Sequence, residues 1–184
     1  MSIHKLSKTV STIAKQINYM RINGFPGLSN DITGLNGSEE LLKWKETNEV
    51  NAQSIDDISK YEEIDITLPY AGTNFSIRLL FNLYEPWVPP DMMFSDSKFM
   101  KKISVEDLEK MVPILNNWNY SSEETIAQLL KQLHQLYKNY QLKVLEEEEL
   151  LLYEYKSVLQ SLSIGEEDVE VSIYDNHLTT YYRD

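Results

Sequence analysis

The sequence predicts an α+β fold, in which an antiparallel strand meander is flanked by an N-terminal helix and by long C-terminal helices. Three observations lead to this prediction. An apolar stripe at helical spacing opens the 184-residue chain, period-two alternation follows between Ile64 and Phe94, and no glycine or proline interrupts the stretch from Ser121 to Gly165. Alternation is typical of half-buried strands, and the 3–4 spacing is typical of helices that cover a core.

Composition excludes several functions. Charged residues make up 25% of the chain and hydrophobic residues 42%, as in ordinary soluble domains. No run approaches the roughly 18 apolar residues of a membrane span, so we expect no membrane association. The sequence contains no cysteine, which excludes disulfides, thiolate catalysis and cysteine zinc sites in this chain. The first residues lack the apolar core of a signal peptide, which favours a cytoplasmic or nuclear location.

Charge is distributed unevenly along the chain. Residues 146–184 hold eleven acidic and two basic residues, so they carry −9 of the formal charge of −12. Residues 1–30 hold three lysines, one arginine and no acidic residue. The net acidity argues against a phosphate-binding surface, and we expect no nucleic-acid partner.

The first element is an amphipathic helix that ends near Gly24. Three interpretations of it stay open: packing against the chain's own sheet, docking in a partner's groove, or a mitochondrial presequence. Residues 24–37 are typical of a loop, residues 41–45 of a first strand, and the polar residues 47–60 of a long disordered connection. The apolar stripe of the first helix consists of Ile3, Leu6, Val10, Ile13, Ile17 and Met20.

The meander occupies the middle of the chain. One strand alternates around Ile66, the next around Ile77, and the residues from Pro69 to Asn74 predict a hairpin loop of five or six residues. Three prolines then fix a rigid extended crossing, because proline has no backbone donor and is excluded from central strands. A short strand resumes at residues 91–94. The prolines of the crossing are Pro86, Pro89 and Pro90.

Helices follow the meander. Ser104 and Asp107 predict a capping box for a short helix, and Ser121 with Glu124 predicts a second, stronger one for a long helix. An unbroken helix of roughly 40 residues would span about 60 Å, so we expect it either to bend near residues 141–143 or to project. Its later apolar stripe either folds back on the domain or docks on another subunit or on a following domain of a longer chain. That stripe consists of Leu151, Tyr155, Val158, Leu159 and Leu162.

The chain ends in an acidic extension. Val169, Val171 and Ile173 alternate with polar residues and predict one more strand, which is followed by a polar tail. We therefore divide the chain into residues 1–160, a domain that includes the long helix, and residues 161–184, an extension that would be the start of a truncated further domain.

The meander resembles the ubiquitin-conjugating fold, and in particular the N-terminal ubiquitin-conjugating-like (UEV) domain of the BRE family of scaffold subunits. The similarity extends from about residue 64 to residue 155. One place departs from it: the fold usually has tyrosine directly before the first proline, whereas this chain has Glu85 there and Tyr84 one residue earlier. The motif that defines the fold is Pro69, Tyr70, Gly72, Pro86, Pro89, Pro90 and Trp118, and further matching positions are Ala71, Phe81, Asn82, Asp91, Phe94 and Asn119.

The resemblance implies a catalytically inactive subunit of a BRISC-like deubiquitinase complex. Its implied partners are an MPN-family metalloprotease and an Abraxas-type scaffold, with ubiquitin as a further candidate. It also implies roles in cytoplasmic signalling and in the nuclear response to DNA damage.

The residues themselves offer no catalytic group. In conjugating enzymes the nucleophilic cysteine lies in the interval that corresponds to residues 95–122, which here contains neither cysteine nor histidine. A serine hydroxyl without an adjacent base is a weak nucleophile. His4, His134 and His177 do not have metalloprotease spacing, and no phosphate loop occurs, so we expect no catalysis, metal or cofactor.

Binding is the remaining function. Trp87 and Tyr84 are candidate partner contacts, since exposed aromatics are common interface anchors; the alternative for Trp87 is a ring that caps the core. Leu151, Tyr155 and Leu159 are candidate contacts on the later helix. The predicted function is a non-catalytic scaffold, and the alternative is a stand-alone UEV module that binds ubiquitin or a short peptide.

Overall fold

The computed structural model describes residues 3–23, 62–174 and 177–182, and an antiparallel sheet of three strands lies at its centre. The strands are β1 (Glu63–Tyr70), β2 (Thr73–Leu80) and β3 (Asp91–Phe94), in the order β1-β2-β3. The alternate side chains of β1 and β2 are at most 1% exposed, so the predicted meander and its inward face are confirmed. These buried side chains are Ile64, Ile66, Leu68, Phe75, Ile77 and Leu79.

The hairpin turn between β1 and β2 is shorter than predicted. Tyr70 pairs with Thr73 and Pro69 with Asn74, so only Ala71 and Gly72 lie in the turn. Their φ angles are 47° and 73°, and two central residues at positive φ are typical of a type I′ turn, whose twist matches that of the strands. The predicted five- or six-residue loop was wrong because Pro69 is tolerated inside β1, an edge strand among the described residues.

Helix α1 (Ile3–Asn23) packs its stripe into the main core. Of the three interpretations of this helix, the structure favours packing within the chain itself, but the main neighbour of α1 is the long helix Thr125–Glu146 rather than the sheet. The predicted loop 24–37, strand 41–45 and polar connection 47–60 lie outside the described residues. The buried stripe residues are Leu6, Val10, Ile13, Ile17 and Met20.

Two short helices follow the sheet, α2 (Ser97–Lys102) and α3 (Val105–Met111), and a 3₁₀ turn (Pro113–Leu115) comes after them. The predicted capping box of α3 is confirmed, since the Ser104 hydroxyl accepts from the Asp107 N–H and the Asp107 carboxylate accepts from the Ser104 N–H. The Ser104 hydrogen bonds also lower the pKa of Asp107. The helix stops directly before Pro113, as predicted.

The second predicted cap was wrong. The long helix α4 (Thr125–Glu146) begins after Glu124, which makes no capping hydrogen bond through its side chain. Asn119 instead holds the residues just before the helix. Its side-chain oxygen accepts from the Ser121 N–H at 3.2 Å, and its backbone carbonyl accepts from the Thr125 hydroxyl. An asparagine side chain that bonds to nearby backbone competes with helix initiation.

These two serines provide a paired test. Replacing Ser104 by alanine is expected to lower the free energy of unfolding by about 1 kcal/mol, because a real N-cap bond is lost. Replacing Ser121 by alanine is expected to change it by less than about 0.5 kcal/mol, because this side chain caps nothing. Urea unfolding followed by circular dichroism measures both, and equal losses would contradict the cap assignment.

The long apolar stretch breaks into two helices. Glu148 adopts an extended backbone with φ of −117° and ψ of 90°, and helix α5 (Glu149–Leu162) begins after it. The break therefore lies in the run of four glutamates rather than at the predicted residues 141–143. Like charges three or four positions apart repel on a helix, as Glu146 and Glu149 would in an unbroken one. The Glu147 carboxylate forms an ion pair of 2.9 Å with Lys102 of α2.

The last described element is a hairpin, not the single strand that was predicted. Strand β4 (Val169–Tyr174) pairs with β5 (His177–Tyr182), and this second sheet docks on α4. Val169 and Val171 are buried in a second cluster with Leu145, Tyr155 and Leu159. The division of the chain at residue 160 stays a prediction.

A polar chain crosses between the two cores. The Tyr137 hydroxyl donates to Asp96 at 3.0 Å and accepts from the Gln141 amide at 2.9 Å, while the Gln141 carbonyl accepts from the Ile173 N–H. Burial first, and the negative charge of Asp96 second, raise the pKa of Tyr137 well above its ordinary value. The chain of bonds holds α2, α4 and β4 in one register.

None of the helices in the described ranges is long and apolar enough to cross a membrane.

Candidate interaction surface at the proline crossing

The proline crossing leaves β2 after Leu80 and returns at Asp91. Asn82 starts it, since its side-chain oxygen accepts from the backbone N–H groups of Tyr84 and Glu85 at 3.0 and 3.3 Å. A further turn follows, in which the Val88 N–H donates to the Glu85 carbonyl at 2.9 Å. The crossing is therefore built from two successive turns and is not the extended segment that was predicted. Because proline rings also fix three backbone φ angles, the crossing is a rigid surface and not a mobile loop.

The crossing is attached to the main core by a hydrogen bond and by buried side chains. The Trp118 indole N–H donates to the Pro86 carbonyl at 3.1 Å, and the Trp118 ring packs against the main core. Phe81 and Leu83 are buried in the same core. Trp118 therefore fixes the position of Pro86, and with it the position of the crossing, on the main core.

Three neighbouring side chains of the crossing are turned to solvent. Trp87 is 53% exposed, Val88 45% and Tyr84 43%. The Lys5 ammonium of α1 lies 5.8 Å from the centre of the Trp87 ring, a cation–π distance. Trp87 thus does not cap the core, and the crossing presents an apolar patch of three residues, Tyr84, Trp87 and Val88, with a basic residue beside it.

The other predicted partner contacts lie elsewhere. Tyr155 is 2% exposed and Leu159 9%, and both pack with Leu145 and the β4 strand, with Leu151 at the edge of that cluster. The structure therefore shows that this part of the α5 stripe folds back on the chain, and its buried side chains are not accessible to a partner that docks on the described fold. Leu162 of the same predicted stripe is 53% exposed. The exposed side chains of the same helix are Leu150, Tyr153 and Leu162.

Residues 95–122, where the resemblance would place a nucleophile, contain groups with structural roles. Asp96 caps α2 and Ser104 caps α3.

His134 lies on α4, where its Nε2 is 3.3 Å from the Glu170 carboxylate of β4 and both side chains are buried. Within the described residues no group of three His, Cys, Asp or Glu side chains is placed to hold a metal ion. What the arrangement offers is a surface for contact.

Sequence reasoning missed two participants of this surface. Lys5 reaches Trp87 from the other end of the chain, and no local pattern predicts that contact. Val88 was read only as part of the proline segment. Exposure of this valine depends on which side of the crossing faces the core, which the sequence pattern alone does not indicate.

The fold and the crossing together define an α+β domain with a rigid apolar contact patch and no cysteine nucleophile in its sequence. The sequence profile of the family described as "Brain and reproductive organ-expressed protein (BRE)" matches residues 40–182. The chain belongs to the BRE family.

Two curated relatives carry the same name, "BRISC and BRCA1-A complex member 2". The protein from Danio rerio is 30% identical over 105 residues, which cover 56% of this chain and 26% of that protein. The protein from Branchiostoma floridae is 28% identical over 110 residues, which cover 60% of this chain and 27% of that protein. The chain thus spans about a quarter of the length of these relatives.

Proposed function

We propose that this chain is a non-catalytic scaffold domain of a BRISC-like deubiquitinase complex, and that its fold is of the ubiquitin-conjugating-like (UEV) type. Membership of the BRE family is the observation that carries this proposal. The printed names of the relatives, which describe complex members, support it. The meander with its proline crossing supports the fold type, and the lack of any cysteine in the sequence supports a non-catalytic role.

The proposed partners are an MPN-family metalloprotease, which would perform the hydrolysis, and an Abraxas-type scaffold. The proposed locations are the cytoplasm and the nucleus, with a role in the response to DNA damage. These follow from the family and not from a feature of the described residues.

The proposed contact surface is the patch of Tyr84, Trp87 and Val88. Large aromatic side chains at the centre of an interface contribute most of its binding energy. Because the turns and prolines already hold the crossing in one conformation, little conformational entropy is lost when a partner binds. A rigid apolar patch beside a lysine is therefore suited to a permanent contact with another subunit.

A pull-down with variants tests the proposal. The tagged chain is used as bait in a cell extract, and an MPN-family metalloprotease is the expected prey in mass spectrometry. The double variant Trp87→Ala/Tyr84→Ala is expected to lower recovery by about tenfold or more, since two anchors are lost.

The matched control is the double variant Ile22→Ala/Val105→Ala. These two residues are 73% and 72% exposed, more than either aromatic ring, and their loss is expected to leave recovery unchanged. Recovery of ubiquitin alone or of short linear peptides would favour the stand-alone module. Equal recovery by all three proteins would show that the crossing is not the contact surface.

A further inference from the structure

We propose that a groove between α3 and the C-terminal half of α4 binds an acidic amphipathic helical segment of a protein partner. The groove has a volume of about 490 Å³. It lies away from the proline crossing and shares no lining residue with it. The proposal therefore goes beyond the scaffold function and rests on separate residues.

The floor and walls of the groove are apolar. Leu136 and Tyr140 of α4 and Ile103 between α2 and α3 line it, with Met111 on the opposite wall. Met111, at the end of α3, is a large apolar side chain that is 36% exposed, so the described fold does not fully cover it. Two helical walls with apolar side chains are the usual receptor for the apolar face of a third helix.

The charges on the walls select the occupant. Lys110 extends from α3 and Lys143 from α4, and both line the groove. Among the described residues neither lysine has an ion-pair partner within 4.0 Å. Asp107 lies near both lysines, and its Oδ2 accepts from the Ser104 N–H and hydroxyl. The two lysines and this one carboxylate together leave one excess positive charge in this part of the groove. Carboxylates placed between two facing lysines would gain two charge-assisted hydrogen bonds.

The acidic residues of the groove do not remove this preference. Glu147 and Lys102, which both line the groove, form an ion pair of 2.9 Å. Glu146, the neighbour of Glu147 in sequence, is an exposed lining residue. The pattern thus places free positive charge at one part of the groove and negative charge at the other, so an acidic segment would bind in one orientation.

The experiment selects binders from a displayed library of random peptides about four helical turns long, with the full chain as the target. Enriched peptides are expected to combine apolar side chains at helical spacing with aspartate or glutamate. The enriched peptide is then synthesised with a fluorescent label, and its affinity is measured by fluorescence polarisation.

Charge reversal provides the decisive comparison. Lys110→Glu/Lys143→Glu is expected to weaken binding of this peptide by about tenfold or more. The variant loses two charge-assisted hydrogen bonds and adds repulsion, and the binding free energy lost in this way sets the change in Kd. Lys8→Glu/Lys131→Glu changes the net charge equally at exposed lysines outside the groove, and it is expected to leave affinity within about twofold. Met111→Glu places a charged side chain on the apolar wall of the groove, and it is expected to abolish binding. Because Met111 is partly exposed, the variant is expected to fold.

Three results would overturn the proposal. One is a selection that enriches no acidic amphipathic peptide. Another is a peptide whose affinity falls equally in the groove variant and in the control variant. The third is self-association of the chain that depends on Lys110 and Lys143, since a second copy would then be the occupant. Trp87 and Tyr84 are intact in all these variants, so a failure here is distinguishable from a failure of the crossing.

Discussion

Replacing Phe75 by alanine is expected to lower the free energy of unfolding by about 4 kcal/mol, the range of large-to-small substitutions at fully packed aromatic sites. Phe75 is 1% exposed on β2. Its ring stacks on that of Tyr137 with the centroids 4.0 Å apart, and it also meets the rings of Phe94 and Phe99 at 5.8 Å each. Removing it leaves a cavity at the junction of sheet, α2 and α4, and these elements cannot all close over it.

Urea unfolding followed by circular dichroism measures the loss. Ile22→Ala is the control, because this side chain is exposed on α1, and its expected change is within about 0.5 kcal/mol. A loss below about 1 kcal/mol for Phe75→Ala would mean that the aromatic cluster is not the centre of the core.

Replacing Glu170 by alanine is expected to lower the free energy that holds the β4–β5 hairpin on the body by about 2 kcal/mol. Glu170 is 4% exposed. Its Oε2 accepts from the Ala71 N–H at 2.9 Å, and its other oxygen lies 3.3 Å from His134 Nε2. Without the carboxylate, the buried N–H of Ala71 has no acceptor, and an unsatisfied buried donor costs about 1–3 kcal/mol.

Hydrogen exchange of the hairpin amides measures this effect. A loss of 2 kcal/mol corresponds to exchange that is roughly 30 times faster. Glu170→Gln is the matched control, since its carbonyl can still accept from Ala71, and we expect it to lose less than half as much. Unchanged exchange in the alanine variant would show that Tyr70, whose hydroxyl donates to the Val171 carbonyl at 2.9 Å, holds the hairpin without Glu170.

Local signals predicted most of the elements. The alternation around Ile66 and Ile77 specified two strands and their inward faces, because a half-buried strand must place every second side chain in the core. The stripe of α1 and the capping box at Ser104 are similarly local, since a helix face and a helix cap are made by residues three or four positions apart.

Errors arose where a local signal met a competing contact. Ser121 resembles a cap, but Asn119 takes the nearby backbone groups first. The glutamate run resembles a continuous helix face, yet the ion pair between Glu147 and Lys102 joins residues far apart in sequence. Pro69 resembles a strand end, but an edge strand accepts it beside a two-residue turn.

The surface was predicted only in outline. Trp87 and Tyr84 were correct as candidates for exposure, whereas Tyr155 and Leu159 are buried, since the β4–β5 hairpin covers that side of α5. A helical stripe shows that a face must be covered, but it does not show whether the cover is the same chain or a partner.

The amino-acid sequence by itself determined strands β1 to β4, the first helix, the proline segment and the absence of thiol chemistry in this chain. These properties depend on backbone sterics, short-range spacing and residue type. Tertiary packing alone decided where the long helix breaks, which apolar faces are closed, and which lysines around the groove have no ion-pair partner among the described residues. Those outcomes depend on contacts between distant parts of the chain, and such contacts exist only after it has folded.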